Sequence, residues 1–391
     1  MTLATAFALS AVLVCTAISQ AADSEQRPFR IVYRGAITLP QTVLDSRGNE
    51  VEITGLSGIT WLGHDRYAAI MDNSDKLILF SLKLDRDGTP EEASDIEVVT
   101  LAEQHDYEDV AACPKPLQQR IAALRMKQGF PDPGRCVFVC EEDTPAIRAV
   151  SLTDGSLLGV IPIPEAFSRL ARQRGLESLD IDADGHHLWT ANEEALSADG
   201  SPPAADRGTV VRLAKIAIRD PEQKGADEPI QLAYAVDPPH PFVQMFSGNA
   251  LSGVTAITGL GNGRLLVLER AGCPGLPPFE NRIYLVDTRN ATDVSVVDRD
   301  LASHTETHAR KVLLWKDQLG CNIEGLCMGP KLRRNTHALI AVADNGAIGT
   351  PNQLIGFALE TADNSMQVPM IVGGAAIAAV VLGFVMYRLA R

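Results

Sequence analysis

Acidic residues recur at fixed places along this chain, and their spacing is the first sign of chemistry. Five segments share one pattern: a short apolar run with a small or acidic third residue, a turn, a second apolar run, and a polar or acidic end. They open at Gly55-Leu56-Ser57-Gly58-Ile59, Tyr107-Glu108-Asp109-Val110, Gly175-Leu176-Glu177-Ser178-Leu179, Gly253-Val254-Thr255-Ala256-Ile257 and Asn322-Ile323-Glu324-Gly325-Leu326. Glu108, Glu177 and Glu324 hold the same place in three of them, and Asp72, Glu142, Glu194, Glu269 and Asp344 end the second runs. If the repeats bring these positions together, the result is a set of hard oxygen donors suited to Ca²⁺, which takes about six to eight oxygens. Like charges gathered this way need a cation or an arginine nearby, and Arg207, Arg212, Arg270 and Arg282 are available. The plainer alternative is that the carboxylates cap turns or accept backbone N–H groups between strands.

Other short motifs carry less. Asp180-Ile181-Asp182-Ala183-Asp184-Gly185 opens like a calcium loop, but Ala191 stands where a bidentate glutamate is needed. Leu179 and Ile181 alternate with Asp180 and Asp182 as in a strand, and Asp-Gly is a hairpin signal, so a turn is expected here. His304-Thr305-Glu306-Thr307-His308 has its glutamate at the wrong place for a zinc-protease helix. There is no Gly-x-Ser-x-Gly elbow and no phosphate-binding loop.

The elements that must position the carboxylates follow from the repeat. Segment starts lie about 50 to 80 residues apart, a spacing that marks a repeat architecture. Each repeat continues into a further apolar strand: Lys76–Leu82, Ala146–Leu152, Thr209–Leu213, Arg282–Asp287 and Gln353–Leu359. Short strands of period two bounded by Gly, Asp and Asn turns indicate antiparallel β-structure. Three or four strands per repeat make one blade of a propeller, which leaves only short edges. Five blades are visible, and a sixth is expected from Ile31–Pro40 with Ile230–Met245. Helices are expected at Pro116–Lys127 and Glu165–Arg174. The expected fold is thus an all-β, six-bladed propeller spanning residues 28–361, with its inner strands around a central channel.

The chain carries 49 acidic against 35 basic residues, a formal charge of −14. That balance argues against nucleic acid as a partner and favours cations. Residues 1–21 resemble a secretory signal, with an apolar stretch from Ala6 to Ile18 and small residues before Ala22. Residues 370–387 are uncharged and long enough to span a bilayer, and Arg388 and Arg391 follow them. The expected topology is therefore single-pass: an extracytoplasmic domain, a spacer at 362–369, a membrane helix at 370–387 and a basic cytoplasmic tail at 388–391. Apart from Cys15, six cysteines (Cys113, Cys136, Cys140, Cys273, Cys321 and Cys327) suggest disulfides, with Cys321–Cys327 and Cys113 with Cys136 or Cys140 as local pairs.

Taken together, Gly55-Leu56-Ser57-Gly58-Ile59, Gly175-Leu176-Glu177-Ser178-Leu179 and Asn322-Ile323-Glu324-Gly325-Leu326 resemble the phytase-like family, also described by the esterase-like activity of phytase. Asn192-Glu193-Glu194 followed by Asp199-Gly200 strengthens the likeness, and so does Arg264-Leu265-Leu266-Val267-Leu268-Glu269-Arg270. It covers the chain from about Arg30 to Leu359. The resemblance implies a β-propeller, and hydrolysis of phosphate or related esters with bound Ca²⁺. The expected metal ligands are Asp72, Glu108, Glu177, Glu194, Glu324 and Asp344. Glu177, Glu269 and Glu324 are the expected catalytic carboxylates, with Arg270 holding the phosphate. The acidic domain departs from the cationic pocket that a hexaphosphate calls for, so the metal would supply most of the positive charge. A non-catalytic binding or scaffolding propeller remains open beside the small-molecule ester hydrolase.

Overall fold

A computed structural model describes residues 29–170, 175–218, 228–239, 251–272, 278–297, 300–305, 308–317, 319–344 and 351–361. Their antiparallel strands form five four-stranded sheets, so the propeller has five blades, not six. Blade I comprises Leu56–Gly63, Arg66–Met71, Lys76–Leu84 and Pro90–Thr100. Blade II comprises Tyr107–Ala112, Cys136–Glu141, Ala146–Ser151 and Leu157–Ile161. Blade III comprises Leu176–Ile181, His187–Asn192, Val210–Ala217 and Ile230–Ala235. Blade IV comprises Leu251–Gly261, Arg264–Gly272, Phe279–Asp287 and Arg310–Asp317.

Blade V draws on both ends of the described chain. Asn322–Arg333, Thr336–Asp344 and Gln353–Thr361 are joined by the N-terminal strand Phe29–Thr38. That strand pairs antiparallel with Gln353–Thr361, from Phe29 opposite Thr361 to Thr38 opposite Gln353. The two stretches expected to make a sixth blade are therefore outer strands of blades V and III. Both are strand-like, but each completes an existing sheet rather than opening a new one. A small hairpin, Thr42–Leu44 with Glu50–Glu52, links the closing strand to blade I.

The apolar face of each blade packs on its neighbour, which gives five inter-blade cores. Tyr67, Phe80 and Leu82 of blade I meet Ile340, Val342 and Leu354 of blade V. Ile70 and Leu77 meet Val110 and Val139 of blade II, and Phe138 and Cys140 meet Leu179, Leu188 and Ala214 of blade III. Trp189, Leu213 and Tyr234 pack on Ile257, Val267 and Tyr284 of blade IV, while Leu266 and Leu268 pack on Phe29 and Phe357. Burial of such side chains contributes about 1.5–3 kcal/mol each.

The inner strands are tied to one another by polar side chains. Asp109, 2% exposed, accepts the amides of Val110 at 2.7 Å and of Leu179 in blade III at 2.8 Å. Thr60 accepts the amide of Ala112 at 3.0 Å, and Asp180 that of Gly259 at 2.7 Å. Thr258 donates to the carbonyl of Leu326 at 2.8 Å. Asp109 and Asp180, which are not among the repeated carboxylates, thus join blades. Gly58 allows blade II its approach: a Cβ there would lie 2.4 Å from the Asp109 Cα. Gly58→Ala is expected to cost about 1–3 kcal/mol through overpacking, read from the urea midpoint. An unchanged midpoint would mean that the inner strands do not meet this closely.

Two helices interrupt the sheets, close to where they are expected: α1 at Lys115–Lys127 and α2 at Glu165–Leu170. The expected signal at 1–21 and the span at 370–387 lie outside the described residues. Among the described residues no helix is long and apolar enough to cross a membrane. A span needs about 20 apolar residues, whereas α1 has 13 residues with charges along it. Within the described residues the expectations of a transmembrane anchor, a membrane partner through a C-terminal helix and single-pass membrane localisation are not met.

The disulfide expectation is also corrected. Cys113, Cys136, Cys140, Cys321 and Cys327 are all buried free thiols, and Cys273 lies outside the described residues. Cys321 belongs to the core between blades IV and V, whereas Cys327 belongs to the core between blades V and I. Six residues apart, the two would share a face of a regular strand. A bulge between Ile323 and Gly325 adds a residue and sends them to opposite faces. Cys113 and Cys136 are cross-strand neighbours, with the Cys113 amide 3.3 Å from the Cys136 carbonyl, yet they remain thiols.

Candidate metal site on the propeller axis

The same irregularity recurs in all five inner strands. The register shifts between Leu56 and Ile59, Tyr107 and Asp109, Leu176 and Ser178, Val254 and Ala256, and Ile323 and Gly325. A bulge frees a residue from the ladder and re-aims its side chain. The shifts fall at Ser57 with Gly58, Glu108, Glu177, Thr255 and Glu324, the small, polar or acidic positions of the sequence repeat. One residue beyond the partners of Leu56, Tyr107, Leu176, Val254 and Ile323, the second strands present Asp72, Glu142, Glu193, Arg270 and Asp344. Two tiers of mostly acidic side chains thus sit at one end of the inner strands.

These carboxylates approach one another closely. Ligand oxygens of Asp106, Glu108 and Glu142 lie within 4.8 Å of each other, and so do those of Glu142, Glu177 and Glu193. Ser57 donates to Glu108 at 2.8 Å. Glu177 is 6% exposed and makes no hydrogen bond or ion pair among the described residues. A buried carboxylate left in this state is costly, since no donor offsets its charge. Burial raises the Glu177 carboxyl well above the ordinary range, and Glu193 and Glu108 push it further while Arg270 opposes. Burial and Glu142 do the same to Glu108.

Arg270 is the counter-charge on the opposite side. Its guanidinium donates to Glu193 at 2.7 Å, to Asn322 at 2.8 Å and to Glu324, stitching blades III, IV and V together. Burial lifts Glu324 to about 7, with Arg270 resisting and Asp344 and Asp72 reinforcing the rise. Burial and the same neighbourhood, Asp344 and Asp106, lift Asp72 to about 6. Of the expected residues, the axis therefore gathers Asp72, Glu108, Glu177, Arg270, Glu324 and Asp344.

Glu269 and Glu194 are placed elsewhere. Glu269 precedes Arg270 on the strand and faces the other side, where it accepts from Tyr234 at 2.7 Å, Lys311 at 2.6 Å and the Asp237 amide at 3.0 Å. Glu194 lies one residue past Glu193, and its carbonyl accepts from the Asn192 side chain. The sequence reading missed Glu193 and Asp106 as members of the axial group. Alignment of the second strands on their pairing with Leu56, Tyr107 and Leu176 would have found Glu193. Arg212 does not enter the cluster either. It is fully buried against Asp199, at 2.6 and 2.7 Å, and braces blade III. Arg282 is held by Glu280 at 2.5 Å.

The residues of the calcium-like loop form a hairpin turn, as expected: Gly185 donates to the Asp182 carbonyl and adopts a positive φ of 73°. Asp182, Asp184 and His187 cluster there, but Lys215 lies 3.3 Å from Asp182 and already supplies a positive charge. Glu306 and Thr307 of the histidine motif lie outside the described residues.

The family described as Phytase-like, esterase-like activity of phytase, matches residues 51–347. The chain belongs to the phytase-like family. All five bulges of this phytase-like propeller fall inside the matched region. No curated protein matches the chain. Solved structures similar to it include a humanized mutant of the Chaetomium thermophilum Polycomb Repressive Complex 2, at 9% identity and a TM-score of 0.38, covering 82% of this chain and 72% of that one. A luciferin-regenerating enzyme is 11% identical with a TM-score of 0.35, over 79% of this chain and 92% of that one. A duf4221 family member from Bacteroides vulgatus is 9% identical with a TM-score of 0.34, over 86% and 100%. Likeness at this level carries no functional argument.

The axial donors fit a divalent cation: they are all oxygens, they are crowded, and one of them is buried without a partner. Such a set suits hard ions such as Ca²⁺, Mg²⁺ or Mn²⁺ rather than thiolate-seeking metals.

Proposed function

We propose that this phytase-like propeller is a calcium-dependent hydrolase of phosphate or related esters, acting at the axial end where the bulged carboxylates meet. The observation that carries the reading is Glu177, buried and without a hydrogen-bond partner among carboxylates of three strands. Glu108, Glu142, Glu177 and Glu193 with Asp106 would hold the cation. When bound, it polarises a phosphoryl or carbonyl oxygen and lowers the pKa of water. Arg270 keeps Glu193 and Glu324 in place while leaving the opposite sector negative. Glu324, near neutral in its titration, is suited to take a proton from water as a general base.

One observation favours the alternative, a propeller that binds without catalysing. Both terminal nitrogens of Arg270 are already engaged, which leaves them little freedom to clamp a substrate anion. The two readings separate in one assay, turnover of a panel of phosphate and carboxyl esters with Ca²⁺ and with a chelator. Calcium-dependent turnover that falls by about two orders of magnitude or more in Glu177→Gln supports the hydrolase, because removing one electrostatic partner of a reacting group costs that much. Calcium binding with no turnover on any ester would leave the binding propeller.

A further inference from the structure

We infer that the axial carboxylates form two adjoining cation sites that share Glu142. Asp106, Glu108 and Glu142 build one, and Glu142, Glu177 and Glu193 build the other. This rests on the divalent-cation reading above and adds a stoichiometry and a bridging residue to it. The geometry is specific: Glu142 is the one carboxylate common to both groups, and a carboxylate has an oxygen for each of two ions. The remaining ligands divide by blade. Asp106 and Glu108 flank Tyr107 at the start of blade II, whereas Glu177 and Glu193 come from the first two strands of blade III. Glu142 directly follows the second strand of blade II, beside Asp106, whose carbonyl accepts its amide at 2.9 Å. It therefore stands between the two pairs.

Charge leads to the same number. Five carboxylates converge here, and Arg270 reaches Glu193 but forms no ion pair with Asp106, Glu108 or Glu177. Once all five are ionised, two divalent ions match their charge more nearly than one, and Glu108, Glu177 and Glu193 are buried. Glu177, on blade III, makes no hydrogen bond among the described residues, and Glu108, on blade II, accepts one from Ser57 of blade I. Each half thus retains donors for an ion of its own. Paired hard cations favour a phosphate monoester as substrate, because two of its oxygens can be bound at once.

Equilibrium dialysis of the full chain against Ca²⁺ tests the inference, with two ions bound per chain expected. Asp106→Asn should weaken one site by about tenfold or more and leave the other nearly unchanged, and Glu177→Gln should do the converse. Glu142→Gln should weaken both. One ion per chain, or a Glu142→Gln protein that loses affinity at a single site, would overturn the shared site while leaving the single-cation reading intact. No bound ion would overturn both. Should the variants fail to fold, Mn²⁺ titration of the unaltered protein followed by electron paramagnetic resonance decides the matter. A second equivalent should replace the isolated six-line signal with an exchange-coupled spectrum. A six-line signal that merely doubles would refute it.

Discussion

Arg270→Met is expected to destabilise the propeller by about 3–5 kcal/mol, the loss that follows when one partner of a buried ion pair is removed. Methionine fills much of the same volume, so the loss reflects charge more than packing. Glu193 is fully buried, and its carboxylate would lose the guanidinium that balances it. Glu324 and Asn322 lose their shared donor in the same step, so three blades come apart electrostatically at once. Arg270→Lys should recover little, because one ammonium lacks the planar fork that reaches acceptors on blades III and V together. The measurement is the urea midpoint of each protein in a chelator. A methionine variant as stable as the parent would show that Arg270 is not the counter-charge of this cluster.

The second large effect is a stability that falls with rising pH unless a cation is present. Glu324, Asp180 and Asp72 have carboxyls raised to about 7, about 7 and about 6, in each case chiefly by burial. A carboxyl raised in the folded state binds a proton more tightly there than in the unfolded chain. Its stabilisation is complete below the ordinary carboxylate range and disappears as the pH climbs through the raised value. In chelator, the melting temperature should therefore decline between about pH 5 and pH 8. Calcium should reverse that decline at pH 8, since a ligand at a hundred times its dissociation constant adds about 2.7 kcal/mol.

Glu177→Gln sharpens this prediction by separating fold from function. Removal of one charge from a repelling group should raise the chelated protein's melting temperature at pH 8, while the gain from calcium shrinks. Differential scanning calorimetry across pH, with and without calcium, reads both effects. A chelated protein equally stable at pH 5 and pH 8 would contradict the linkage. A variant with an undiminished calcium response would remove Glu177 from the site.

Much of the architecture is legible in the order of the residues. Period-two runs separated by Gly, Asp and Asn turns indicate antiparallel blades, and a third-position residue repeated in five segments marks the inner strands. Both are local signals, written in neighbouring side chains. The number of blades is not legible, because Phe29–Thr38 and Ile230–Ala235 have the pattern of strands but nothing that names their partners. Only ring closure pairs the first strand with the last and makes five sheets of what looked like six.

The site divides in the same way. Composition and repeat together determined that acidic residues would converge, and they selected Glu108, Glu177 and Glu324 correctly as equivalents. Tertiary structure decided which of the second-strand residues join them. A displacement of one residue turns a strand side chain to the opposite face, so Arg270 reaches the axis and Glu269 does not. The bulge that aims Glu324 inward also parts Cys321 from Cys327, an effect that residue spacing alone cannot show. A bulge is a property of the pairing between two strands. Its consequences become visible only once the partner strand is known.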